Sequence, residues 1–155
     1  MSISKKYKDK VMMKINLKSL FCFKKKPKEE PSGKIDYDQH VDFYYSCLIN
    51  SIILFALNVN QLDELSEPTF DPLFELESEI DYAFTPVIFE TVFRNKRIDI
   101  LLRQELLNFK KEIDEIPQDL WEWEYIDVHQ VWNEVRGKAN LLLDKLEITD
   151  RNYNK

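Results

Sequence analysis

Only two glycines occur in this 155-residue chain, Gly33 and Gly137, and that shortage constrains the fold more than any other feature. Tight β-hairpins and phosphate-cradling loops rely on glycine where the backbone must take φ > 0. Two glycines so far apart cannot write a Walker loop or a dinucleotide-binding fingerprint, and a nucleophile elbow lacks its flanking glycines. What remains is a fold built from elements that need little glycine, and the apolar periodicity points to helices.

A 44% hydrophobic, 13% aromatic composition supports one real core, and a chain of this length is most simply one domain. Val41, Tyr44, Tyr45, Leu48, Ile52, Phe55, Val59 and Leu62 recur at helical spacing and predict a first helix from about Asp38 to Leu62. Every residue from Phe43 to Leu62 is uncharged, but Ser46, Asn50, Ser51, Asn58 and Asn60 interrupt it. A central buried helix is the reading, not a membrane span. Asp71-Pro72 and Thr85-Pro86 pair a capping residue with proline at the first helical position, so each predicts a helix start. Leu73, Leu76, Ile80 and Phe84 line one face of the first of these helices. "FELESEID" also alternates like a strand, but the Asp-Pro start favours helix. A further helix is expected over 98–116, with Ile98, Leu101, Leu102, Leu106, Phe109 and Ile113 on its apolar face, stopped by Pro117. The last should open on Asp127 and Gln130 as a capping pair and bury Val128, Val131, Trp132, Val135, Ala139, Leu142 and Leu146. The expected fold is all-α: a compact bundle of four to six helices over residues 35–148, between a basic, flexible tail (1–34) and a short C-terminal tail (149–155).

The net charge of −6 conceals a division. Residues 1–32 hold ten lysines against three acids, while residues 33–155 hold twelve Lys/Arg against twenty-five Asp/Glu. Lys10, Lys14 and Lys18 recur at helical spacing in the tail, a pattern suited to weak contact with an anionic membrane surface. A solvated, disordered tail is the simpler reading. Cys22 and Cys47 make no disulfide framework, no secretory signal stands out, and a reducing cytoplasm fits.

Chemistry-bearing motifs are scarce. "DYDQHVD" sets Asp36, Asp38, His40 and Asp42 two apart, but an EF-hand needs glycine where Val41 stands and Glu where Cys47 stands. His129 has no HExxH or Glu-x-x-His companion. No catalytic residue, cofactor or metal is assigned, and the chain is read as a non-enzyme. In "LWEWEYI", Trp121 suits the closing of a bundle end, whereas Trp123 is equally suited to anchoring a partner.

From Ile35 through Phe93 there are twelve Asp/Glu and no Lys or Arg. Glu75 and Glu79 are a like-charge pair at i, i+4, which costs a few tenths of a kcal/mol. Three explanations compete: dipole stabilisation with solubility, an internal partner, or a basic external one. The internal partner would be Arg94, Lys96, Arg97 and Arg103, or the lysine tail. On the third reading, Asp63, Glu64, Asp71, Glu75, Glu77, Glu79 and Asp81, with Trp123, bind a basic protein and not nucleic acid. A small acidic helical chain of this type resembles the bacterial immunity proteins of contact-dependent and polymorphic toxin systems, its most motif-like part being "IPQDLWEWEYIDVHQVWNEVRGKANLLLDKL". That resemblance implies a cytoplasmic inhibitor of a basic, nuclease-like toxin. The alternative is a membrane-surface adaptor held by the lysine tail.

Overall fold

The computed structural model describes residues 35–154. The chain divides into two units, Met1–Ile35 and Asp36–Lys155, and every described helix lies in the second. The expectations for the lysine tail, including its folding back on the acids, lie outside the described residues.

The described residues form an all-α bundle of six α-helices without strands: α1 (Val41–Ala56), α2 (Val59–Glu64), α3 (Pro72–Ala83), α4 (Pro86–Arg94), α5 (Arg103–Asp114) and α6 (Gln130–Lys145). Short 3-10 turns precede α1 and α5, and a third lies in the 115–129 connector. α1 is the axis, in contact with α3, α4 and α6. Leu48, Ile52 and Leu54 on it are fully buried, as expected of an apolar helix wrapped on most sides. Among the described residues no helix is long and apolar enough to cross a membrane.

The long helix expected over 38–62 is broken. Leu57 is extended, and Asn58 and Gln61 form a reciprocal capping box that starts α2 afresh. Apolar periodicity runs through this break, since Val59 and Leu62 still pack on the core, so spacing alone did not reveal it. Arg136 of α6 holds the break: its guanidinium donates to the carbonyls of Leu57 (3.1 Å) and Ile126 (2.8 Å) and to Asp127 (2.7 Å). Asp127 in turn accepts from the backbone N–H of Val59.

α3 starts as the Asp-Pro pair predicts, with the Asp71 carboxylate accepting from the N–H groups of Leu73 and Phe74. Thr85 occupies the N-cap of α4 but makes no side-chain cap, because its hydroxyl donates back to the Asp81 carbonyl. α5 begins later than expected. Asp99 caps a 3-10 turn over Ile100–Leu102, which leaves Leu101 80% exposed instead of on an apolar face. The opening of α6 is also corrected: His129, not Asp127, is the N-cap, its Nδ1 accepting from Val131. Val128 therefore falls outside the helix and is 74% exposed.

α4 and α6 end alike. At the first, the Lys96 N–H reaches Phe93 O and the Arg97 N–H reaches Val92 O; at the second, Glu147 reaches Asp144 O and Ile148 reaches Leu143 O. Both are Schellman motifs, which need a left-handed residue. In this glycine-poor chain Lys96 (φ 55°) and Glu147 (φ 59°) fill that position.

Candidate partner-binding surface

Residues 35–154 carry ten Lys/Arg against twenty-five Asp/Glu, a net of −15. Nine of the ten cations are engaged: Arg94 with Asp38, Arg97 with Asp42, Arg103 with Glu90, Lys110 with Asp81 and Asp114, Lys111 with Glu115, Arg136 with Asp127, Lys138 with Glu112, Lys145 with Glu105 and Arg151 with Asp144. Lys96 makes no ion pair among the described residues. The arginine cluster after α4 thus neutralises Asp38, Asp42 and Glu90, and its ion pairs do not reach the row on α3. Hydrogen bonds from Asn95 and then Arg94 hold the Asp38 carboxyl below its usual pKa.

The row on α3 divides between two faces. Helical geometry sets Glu75 and Glu79 on one side and Glu77 and Asp81 on the other. Glu75 is 5% exposed and accepts from the Ser78 hydroxyl at 3.1 Å. Glu79 accepts from the Tyr153 phenol at 3.3 Å. Burial, followed by the charges of Glu79 and Glu75, holds that phenol well above its ordinary pKa. Glu77 and Asp81 line a cleft of about 90 Å³ with Asp114, Gln118, Ile80, Ile113, Ile116 and Trp121. A cleft of this size takes a side chain, whereas small-molecule pockets span roughly 300–1,000 Å³. Lys110, 16% exposed, bridges Asp81 (2.9 Å) and Asp114. Asp63 and Glu64 are exposed on α2, and Asp71 is exposed at the α3 cap. The predicted acids are therefore not one solvent-facing row.

The connector between α5 and α6 adds carboxylates that the sequence patterns did not single out. Asp119, Glu122 and Glu124 are exposed, and none is in an ion pair among the described residues. The charge of Glu124, its hydrogen bond, and the charges of Asp119 and Glu122 push the Tyr125 phenol upward. The missed signal was present: no Lys or Arg stands between Lys111 and Arg136, while eight acids do. The connector is tied at both ends, by Trp132 Nε1 donating to Leu120 O at 2.8 Å and by Arg136 holding Ile126 O. Its first residues border the same cleft as Glu77 and Asp81, so the two acidic segments meet there.

Trp121 closes the end of the bundle, edge-on to Trp132 at 4.9 Å and to Phe55 at 6.4 Å. Trp123 is half-buried and packs against the core, presenting only part of its ring. Asp38 and Asp42 turn to separate arginines, so the "DYDQHVD" acids diverge. Among the described residues no group of three or more His, Cys, Asp or Glu is placed to hold a metal ion. No protein-family model matches this chain, and comparisons with curated proteins and with solved structures give no significant match.

Proposed function

We propose that this chain is a non-enzymatic binding protein that neutralises a basic protein partner in the cytoplasm, in the manner of an immunity protein against a nuclease-like bacterial toxin. The observation that carries this reading is the engagement of nearly every described cation beside a surplus of fifteen carboxylates. Among the described residues, internal pairing engages nine of the ten cations, and the net negative field of this part of the chain attracts cationic partners. Such a field raises association rates and discriminates by charge. Nucleases are strongly basic because they must neutralise phosphates. The proposed docking edge is the cleft lined by Glu77 and Asp81 of α3 and by Gln118 and Trp121 of the connector, with the exposed Asp119, Glu122 and Glu124 of the same connector adding to its field and Asp63 and Glu64 as outlying charges.

The test pairs native co-purification with stopped-flow association. The captured partner should be basic, and its association rate should fall steeply with added salt. A triple charge reversal at Asp119, Glu122 and Glu124 to Lys should slow association by about tenfold or more while leaving the helical CD spectrum intact. An acidic partner, or an unchanged rate in the variant, overturns the reading. The membrane-adaptor alternative is separated by flotation with anionic liposomes, which it requires and the inhibitor does not.

A further inference from the structure

α5 and α6 pack side by side in opposite directions, and two ion pairs cross between them. Lys145 donates to Glu105 at 2.5 Å near one end of the seam, and Lys138 donates to Glu112 at 2.5 Å near the other. All four side chains are 37% to 50% exposed, so the seam faces solvent. Leu141 stands three residues after Lys138 and four before Lys145, on the same face of α6, and is 61% exposed. Leu101, in the 3-10 turn that leads into α5, stands four residues before Glu105 and is also largely exposed. The seam therefore runs from Leu101 through the Glu105–Lys145 pair to Leu141. Its charges cancel, two lysines against two glutamates, on a part of the chain whose net charge is −15.

We propose that this seam is a self-association surface, on which a second copy of the chain docks about a twofold axis through the Glu105–Lys145 pair. Such an axis reverses the seam, and the order leucine, ion pair, leucine is the same in both directions. Leu101 of one copy then covers Leu141 of the other, and each Glu105 faces the other copy's Lys145. A twofold interface needs this self-complementarity, because one patch must serve both sides. Charge selects the occupant. A second copy is repelled by acidic surface elsewhere, but here it meets no net charge and an opposite-sign pair at the centre. A cationic partner gains nothing from a neutral seam and is drawn to the acidic surfaces instead. Two helices a side make a small interface, below roughly 1,200 Å², so the dimer is a reversible one. The cleft beside α3 borders the far end of α5, at Ile113 and Asp114, and the dimer leaves it open.

Sedimentation velocity of the full chain over a concentration series tests this, at about 0.5 M salt to screen purely ionic association. The parent should pass reversibly from monomer to dimer as concentration rises. Leu101→Asp and Leu141→Asp should each weaken the dimer at least about tenfold and leave the helical CD spectrum intact. Glu105→Lys and Lys145→Glu, compared at about 0.1 M salt, should each abolish it, because four like charges then meet at the axis. Mixed together, these two variants should form a heterodimer, since one brings two lysines to the axis and the other two glutamates. A parent that stays monomeric to about 1 mM, leucine variants that dimerise as the parent does, or a mixture that stays monomeric overturns the surface.

Discussion

Arg136 and Asp127 form a 2.7 Å ion pair that joins three parts of the chain: the last helix, the connector before it and the break between α1 and α2. The guanidinium is 19% exposed, and two of its acceptors are backbone carbonyls. Arg136→Met leaves Leu57 O and Ile126 O without its donors and leaves the Asp127 carboxylate with only the Val59 N–H, which should cost about 2–3 kcal/mol. Asp127→Asn keeps an acceptor and should cost less than half as much. Urea midpoints measure both, and an Arg136→Met variant as stable as the parent would remove the assigned role.

Gly137 lies in the interior of α6, and a Cβ added there meets nothing within 4 Å. Gly137→Ala should stabilise the fold by about 0.5–1 kcal/mol through reduced freedom of the unfolded chain. Glu147→Gly and Lys96→Gly should also stabilise, each by up to about 1 kcal/mol, by relieving a left-handed backbone at a helix end. Gly137 and Lys96 are far apart in sequence, and thermal unfolding of the combined variant should show near-additive gains. A lowered midpoint for Glu147→Gly would show that the side chain, not the backbone, determines that turn.

Lys110 stands between Asp81 and Asp114 with little exposure. Burial pulls its pKa down, but its bonds to Asp114 and Asp81 outweigh this, so the folded value lies above 10.5. A lysine raised by its partners contributes stability that is fully present below pH 10.5 and is lost as pH rises through the folded value. Lys110→Met should cost about 1–2 kcal/mol at neutral pH, because both acids are about half exposed and partly screened. Its stability should also lack the parent's component of loss above pH 10.5. Denaturation at neutral and alkaline pH compares the two, and parallel losses in both proteins would contradict the assignment.

Tyr125 reports on the connector charges. Glu124 raises its phenol most, with Asp119 and Glu122 adding to the effect. Glu124→Gln should bring the phenol down towards its ordinary value of 10.0, and Asp119→Asn should do so more weakly. NMR titration of the ring resonances reads the order directly. A larger response to Asp119→Asn than to Glu124→Gln would place the connector differently.

Much of this fold was legible because helices announce themselves locally. Asp71-Pro72 predicted α3 from two adjacent residues, and the buried face of α1 follows its apolar spacing. The break at Asn58 was not legible in this way: the capping box is polar, while the apolar period passes through it unbroken. Asp127 misled for a related reason. It resembles an N-cap in sequence, but Arg136, nine residues later, and Val59, in a distant segment, bind it instead. The acidic row was visible as charge, but not its division. Residues 75, 77, 79 and 81 share one short stretch, and only helical rotation with the packing of Tyr153 and Lys110 separates them.

The connector is fastened at Leu120 and at Ile126–Asp127, and its acids at 119, 122 and 124 make no ion pair among the described residues. Substitutions at these positions change the surface field without altering the bundle. The charge of this face is thereby uncoupled from the packing of the helices, so one can be altered without cost to the other.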